Sequence, residues 1–318
     1  MVELMDSYFD ENNIKIIGVG GCGGSALEYM LSEAVEGVAF VVIDTDAQAL
    51  GNSNADHVMQ IGQYSGPGTG ANLDVEHVAA MVDRNAIREL LTGTSMAFII
   101  AGMDGVTGSV VAPIIAEVAS ELKILTIAVI SPLIDCEDEL RVNHARQGIR
   151  VLSEYVDSLF IMPSKQLLAP LGEGTARFDD FTMANDWQLR AVQGITDLLT
   201  RPGLTNIDLA DVAPLIRNMG LAMMGSGSAS GDERAKDAIE QALSSLRLED
   251  VKLTDARSIL ANITAGFDLS MEECEDVTSV IKGLTSENTV VVIGSVIAPE
   301  MEDELRVTVV ATGIGSRG

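Results

Sequence analysis

Apolar residues follow two rhythms along the chain. In the first half, near-continuous runs stand between amphipathic stretches. "IKIIGVG" (14–20), "VAFVVIDTD" (38–46), "MAFIIAG" (96–102), "ILTIAVIS" (124–131) and "SLFIMP" (158–163) are rich in Val and Ile. Runs of this kind predict strands covered on both faces. Between them, "SALEYMLSEAVE" (25–36), "VEHVAAMVDRNAIRELL" (75–91) and "VVAPIIAEVASELK" (110–123) carry apolar residues at helical spacing. The repeated strand–helix order predicts an α/β fold with a doubly wound parallel sheet and right-handed crossovers.

The second half changes character. "FTMANDWQLRAVQGITDLLT" (181–200) reads as one long helix, which "RPGLTN" breaks. "GLAMMGSGSAS" (220–230), "LANITAGFDLS" (260–270), "NTVVVIGSVIAP" (288–299) and "LRVTVVATG" (305–313) read as strands. Helices are expected near 232–246 and 271–284. This predicts a second, smaller α/β domain with a mixed sheet, joined to the first through the long helix. The acidic "MEECED" (271–276) reads as a solvated helix start rather than a metal site, because acids favour the first turn.

Composition narrows the classes. The 318 residues suggest two domains or one large one, and 47% hydrophobic residues supply real cores. No apolar run approaches the roughly 18–20 residues of a membrane span. The acidic start "MVELMDSYFDENN" lacks the basic and apolar regions of a signal peptide, so a cytoplasmic protein is expected. A net charge of −27 argues against nucleic acid and anionic membrane as partners. Cys22, Cys136 and Cys274 show no CxxC spacing, which fits reduced thiols and no zinc site. His57, His77 and His144 form no ligand pattern and read as ordinary residues.

Three loops after predicted strands are glycine-rich: "GVGGCGGS" (18–25), "GPGTGAN" (66–72) and "GMDGVTGS" (102–109). Such loops sit at the carboxyl edge of a parallel sheet, where ligands bind. In the third, Gly102, Gly105 and Gly108 permit close approach, Thr107 and Ser109 offer hydroxyls, and a helix from about 107 points its positive end at the loop. That suits a terminal phosphate. The first loop, with Asp44 and Asp46 some twenty residues on, also satisfies the dinucleotide fingerprint, so an NAD-type site stands as an alternative. Asp208 and Asp211 in "NIDLADV" (206–212) share one face of a helix start. They can orient a water or a cation, and they can equally cap the helix; from spacing alone capping is the commoner case.

The order of these loops, with "IGVGG" (17–21), "DTDAQAL" (44–50), "AVQGITDL" (191–198), "ITAG" (263–266) and "RVTVVATG" (306–313), resembles the FtsZ family. These are bacterial tubulin homologues and cell-division GTPases. The resemblance runs from about Ile14 to Gly313. It implies a tubulin-like GTP-binding domain over residues 1–176, a central helix over 177–202 and a C-terminal domain over 203–318. It further implies GTP or GDP as ligand, with Mg²⁺ as a candidate companion, and head-to-tail filaments of the chain with itself or with a fuller relative. In the family the nucleotide lies between two subunits, and the upper one inserts an acidic loop to align water. Asn206, Asp208 and Asp211 match that loop and become the catalytic candidates, acting in trans.

Other positions match the family's nucleotide contacts. Gly20, Gly21, Cys22, Gly68, Gly70, Ala71 and Asn72 fall on the first two phosphate loops. Gly102, Met103, Asp104, Gly105, Val106, Thr107 and Gly108 fall on the third. Glu137 and Arg141 fall where the family contacts ribose and phosphate, and Asp44 is a further candidate nucleotide contact. Phe181 and Asp186 fall where it packs on and reads guanine. An aspartate can accept from the guanine N1 and N2 hydrogens, which adenine does not supply.

The chain also departs from the family. Residues 104–110 read D-G-V-T-G-S-V in place of G-G-G-T-G-T-G, and two asparagines near the base are replaced by Ser25 and Ser164. Val106 is a problem only where positive φ is required. Asp104 has three arrangements open to it: capping the helix, holding Mg²⁺, or turning outward. A non-hydrolysing structural or regulatory relative with weak nucleotide binding is therefore the second expectation. The chain ends at "ATGIGSRG", whereas the family usually continues into a linker and a peptide that binds membrane tethers. That partner site is expected to be missing from this chain.

Overall fold

The computed structural model describes residues 13–62, 81, 83–131, 139–162, 178–246 and 253–314. The chain divides into two compact units, residues 1–189 and 190–318. The division falls inside the long helix.

In the first unit the apolar runs form strands β1 (Ile14–Val19), β2 (Ala39–Asp44), β3 (His57–Gln60), β4 (Met96–Gly102), β5 (Leu125–Ser131) and β6 (Ser158–Ile161). They lie in the order β3-β2-β1-β4-β5-β6, and every pairing is parallel. All seven residues of β4 and of β5 are buried. Full burial of a large aliphatic side chain contributes roughly 1.5–3 kcal/mol, so these two central strands dominate the core. The sheet is covered by α1 (Gly20–Ser32), the short α2 (Ala47–Leu50), α3 (Arg84–Leu91), α4 (Val106–Glu121) and α5 (Glu139–Tyr155).

Helix α4 is apolar nearly all round because α3 and α5 flank it while its inner face meets the sheet. Arg84 joins α3 to α4 through Glu117 at 2.8 Å and Glu121 at 2.6 Å, and Arg88 also pairs with Glu121. Helix α5 is not among the helices that the apolar spacing predicts, since charged and polar residues crowd its sequence. Its buried face is small: Ala145, Gly148 and Leu152. A β-carbon on Gly148 would lie 2.7 Å from the Ser109 carbonyl oxygen, so glycine is what lets α5 reach α4. Pro113 has no N–H to offer that carbonyl, which removes one rung of α4 at the same place.

Helix α6 (Phe178–Thr200) runs 23 residues and crosses from the first unit into the second. The second unit continues with α7 (Leu209–Ile216), β7 (Gly220–Ser230), α8 (Arg234–Ser245), β8 (Ser258–Ala265), α9 (Met271–Gly283), β9 (Val290–Ile297) and β10 (Glu304–Thr312). The strand order is β7-β10-β8-β9, antiparallel except for β8 with β9. Gly225 and Gly227 of β7 admit α8: β-carbons there would lie 2.1 Å and 2.3 Å from the Ala242 and Ala238 carbonyl oxygens. The expected strand over 260–270 is shorter at its end. It stops at Ala265, and the chain turns at Gly266 into Ser270, the cap of α9.

The acidic start of α9 is a capping box, in which Ser270 and Glu273 exchange hydrogen bonds. Glu273 also pairs with Arg234 at 2.6 Å. Among the described residues no helix is long and apolar enough to cross a membrane.

Candidate functional site

Strand addition in the first unit reverses direction between β1 and β4. An open parallel sheet forms its ligand crevice at such a switch, beyond the carboxyl ends of the strands. The loops that leave β1 and β4 are two of the glycine-rich segments. Gly20 has φ +70°, a left-handed conformation that lets the chain pass directly from β1 into α1. A β-carbon on Gly23 would lie 2.4 Å from the Ile100 carbonyl oxygen, so α1 packs hard onto β4. One on Gly108 would lie 2.0 Å from the Gly102 carbonyl oxygen, so the first turn of α4 presses onto the end of the same strand.

These contacts bring two helix starts together. A β-carbon built on Gly20 would lie 3.3 Å from the Thr107 β-carbon. Both helices begin without a side-chain cap: Val19 precedes α1, Gly105 precedes α4, and neither first turn holds an acid. Of the other helices, α2, α7 and α9 are capped by Asp46, Asp208 and Ser270, while α3 and α8 also start without a side-chain cap. The first turns and the positive ends of two helix dipoles thus lie side by side, an arrangement suited to an anion. Gly21 and Gly105 border open space there.

The altered loop is unstrained. Val106 is the first residue of α4, and the described non-glycine residues with positive φ are Ala34, Lys123, Asn218 and Glu302. Asp104 does not cap α4, which removes one of its three expected arrangements. It is exposed, and its Oδ1 lies over Gly102, where a β-carbon would be 2.7 Å from it and 2.7 Å from the Cys22 β-carbon. Met103, a candidate nucleotide contact, turns its side chain inward. That side chain is 1% exposed in the core, and its N–H is spent on the Ser131 carbonyl at 3.0 Å. The Ser109 hydroxyl donates to the Gly105 carbonyl at 2.9 Å within its own helix.

Arg141 on α5 reaches the same loop, donating to the Asp104 carbonyl at 3.0 Å. Asp186 lies half-buried on α6 beside Asn185, whose amide meets the Ser25 hydroxyl at 3.4 Å. Asn185 was not a predicted site residue. Its adjacency to Asp186 was the signal for it. Ser131 and Gln188 are two more that spacing does not reveal. Gln188 donates to the Ser131 hydroxyl at 2.8 Å, and that hydroxyl lies 3.8 Å from the Cys22 sulfur. Burial pushes the Cys22 thiol above its ordinary range. The Ser131 contact opposes this, and the negative charge of Asp104 adds to it.

Asp44 ends β2 and is 8% exposed. Its Oδ1 accepts from the Thr45 N–H at 2.6 Å and the Asp46 N–H at 3.1 Å, which turns the chain into α2. Gly68, Gly70, Ala71, Asn72, Glu137 and Ser164 lie outside the described residues, as does the Phe181 side chain.

In the second unit Asp208 and Asp211 form a capping box at the start of α7. The Asp211 N–H donates to Asp208 Oδ1 at 2.9 Å, and the Asp208 N–H donates to Asp211 Oδ2 at 3.2 Å. Both residues are exposed. Asn206 accepts the Gly203 N–H at 3.1 Å and shapes the turn before them. Among the described residues no group of three or more His, Cys, Asp or Glu side chains is placed to hold a metal ion.

Residues 13–171 match the Tubulin/FtsZ family, GTPase domain, and residues 220–315 match the FtsZ family, C-terminal domain. The chain is 51% identical over 318 residues to the cell division protein FtsZ of Coxiella burnetii, covering 99% of this chain and 82% of that one. It is 49% identical to the protein of the same name from Pseudomonas putida, covering 100% of this chain and 80% of that one. Among solved structures, an empty FtsZ dimer from M. jannaschii superposes with a TM-score of 0.90 at 31% identity, covering 99% and 93% of the two chains.

Proposed function

The chain belongs to the FtsZ family, and from that premise we infer a guanine-nucleotide-binding, filament-forming GTPase of cell division. The observation that carries the site is the pair of uncapped helix starts at the β1/β4 switch. We assign the phosphates of GTP to that place, received by the first-turn N–H groups of α1 and α4. Arg141 braces the loop between them, and Asp186 on α6 reads the guanine edge. Val106 and Asp104 leave the loop without backbone strain, which supports a working phosphate site.

Hydrolysis needs an oriented water and stabilisation of charge on the phosphoryl oxygens, with little covalent chemistry from the protein. Asp208 and Asp211 of a second copy, stacked head to tail, are assigned to the water. Their capping box holds both side chains and leaves Asp208 Oδ2 and Asp211 Oδ1 outside any hydrogen bond among the described residues. Capping and catalysis therefore do not compete: the box fixes one oxygen of each carboxylate and presents the other. Mg²⁺, held chiefly by phosphate oxygens and water as this ion prefers, would offset the triphosphate charge.

The test is turnover per polymerised subunit. Asp211→Ala is expected to form filaments that bind GTP and release phosphate at least about a hundredfold more slowly, the scale on which loss of one positioned group acts. Unchanged turnover in those filaments would remove the catalytic assignment. Guanine nucleotide retained through purification, identified by chromatography of the denatured protein, tests the pocket separately.

A further inference from the structure

Ser131 is the node of the site. Its carbonyl accepts the Met103 N–H at 3.0 Å, which anchors the loop after β4. Its hydroxyl lies 3.8 Å from the Cys22 sulfur, in the loop after β1. The same hydroxyl accepts from Gln188 Nε2 at 2.8 Å, on the helix that also carries Asn185 and Asp186. Gln188 is 0% exposed, and among the described residues its Oε1 has no hydrogen-bond partner. A half-satisfied buried carboxamide costs free energy that a leucine of similar size would not. Burial alone therefore gives no reason for glutamine at this position.

The bonding supplies one. A hydroxyl that accepts from Gln188 keeps its own hydrogen for another neighbour, and among the described residues the Cys22 sulfur faces it. Gln188 thus sets which way the Ser131 hydrogen points. We propose that Gln188 is a positioning residue for the nucleotide site, acting through Ser131 to fix the Cys22 side chain and the glycine loop that carries it. The inference rests on the reading of that loop as a phosphate loop. Among the described residues, the charged groups at this place are Asp104, beside Cys22, and Arg141, on the Asp104 carbonyl.

Cys22 reports on the relay. Alkylation by N-ethylmaleimide, mapped to the Cys22 peptide by mass, is followed against pH in nucleotide-free protein and again with GTP. Gln188→Leu frees the Ser131 hydroxyl to turn to another acceptor. The midpoint of the Cys22 alkylation profile is then expected to move up, because the Ser131 hydrogen bond stabilises the thiolate. The KM for GTP is expected to rise about fivefold, the scale of one hydrogen bond, with kcat within about twofold. Ser131→Ala should reproduce both changes, and Ser131→Thr, which keeps the hydroxyl, should restore them.

If Gln188→Leu and Ser131→Ala alter only the melting temperature, leaving profile and KM in place, the relay is overturned and Gln188 is merely packing. Should Gln188→Leu fail to fold, the Ser131 pair decides by the same readouts. GTP that does not slow Cys22 alkylation in the unaltered chain would overturn the phosphate-loop reading. The nucleotide-free profile still decides the relay in that case.

Discussion

Arg141 Nη2 donates to the main-chain carbonyl of Asp104 at 3.0 Å. This one bond ties α5 to the loop that opens α4, and it uses the backbone rather than the carboxylate. Arg141 therefore braces the loop's path whatever residue stands at position 104. Removing an exposed, charge-assisted bond of this kind costs about 1 kcal/mol, close to a fivefold change in an equilibrium. Arg141→Ala is expected to raise the KM for GTP about fivefold while kcat at saturation stays within about twofold. Steady-state phosphate release against GTP concentration, at fixed polymer, reads the split.

Asp104 adds one negative charge beside the proposed phosphate site and gives α4 no cap. At about 4 Å a like charge costs roughly 1 kcal/mol in water. Asp104→Asn is therefore expected to tighten GTP about fivefold, to tighten GDP less, and to lose the gain at high salt. Equilibrium titration of the two nucleotides at low and high salt measures it. Weaker GTP binding by Asp104→Asn would mean that the carboxylate aids the triphosphate.

Much of the first unit was legible because burial on both faces writes β4 and β5 as unbroken apolar runs. Helix α5 was not, since only Ala145, Gly148 and Leu152 mark its inner face and charges fill the rest. The two glycine loops could be read as converging at the carboxyl edge of the sheet, but the geometry of that convergence could not. It depends on how closely Gly23 meets Ile100 and Gly108 meets Gly102, distances that no spacing rule contains. Met103 shows the same limit. Its place in the loop does not announce that its side chain lies in the core. Gln188 and Ser131 are distant in sequence, and only the packing of α6 on the end of β5 makes them a pair.

The capping box at α7 allows stability and the proposed catalytic role to be tested apart. Asp208→Asn keeps an N-cap acceptor, and asparagine caps about as well as aspartate. Its unfolding free energy is expected to stay within about 0.5 kcal/mol of the parent. Turnover per polymerised subunit is expected to fall about a hundredfold, because the carboxylate charge is gone. Asp208→Ala should add a stability loss of roughly 0.5–2 kcal/mol. Urea unfolding and phosphate release on the same preparations distinguish these effects, and an Asp208→Asn protein with full turnover would leave Asp208 a cap and nothing more.

Gly108 carries the tightest glycine contact at the two helix starts. Any β-carbon there would sit 2.0 Å from the Gly102 carbonyl oxygen, inside every van der Waals limit, so α4 would have to move off β4. That shift would part the two helix starts at Gly20 and Thr107. Gly108→Ala is expected to lose nucleotide binding and to destabilise the first unit by about 3 kcal/mol, the upper range for overpacking. Gly105 borders open space, so Gly105→Ala serves as the control and should change unfolding by less than about 1 kcal/mol. Equal losses in the two variants would show that the close approach at Gly108 is not what holds the loops together.

Arg234 makes the second unit sensitive to acid. Its side chain is 7% exposed and bonds Glu273 at 2.6 Å, Asp268 at 2.8 Å and the Asp303 carbonyl at 2.8 Å. Burial pushes the Glu273 carboxyl upward, but the hydrogen bonds from Arg234 and Ser270 and the arginine charge outweigh it, so Glu273 lies below the usual glutamate value. A depressed carboxyl contributes stability that is fully present above its unfolded pKa and is lost as pH falls through its folded one. The melting temperature of the second unit is therefore expected to hold from neutral pH down to about pH 5 and then to fall below about pH 4.5. Glu273→Gln should lower it at neutral pH and flatten that acid limb. Arg234→Met, which leaves the carboxylates without their partner, should cost about 3 kcal/mol at neutral pH and less in acid, as Glu273 becomes neutral. Calorimetry of the three proteins across this range provides the comparison, and parallel acid limbs in parent and Glu273→Gln would show that another carboxylate carries the acid sensitivity.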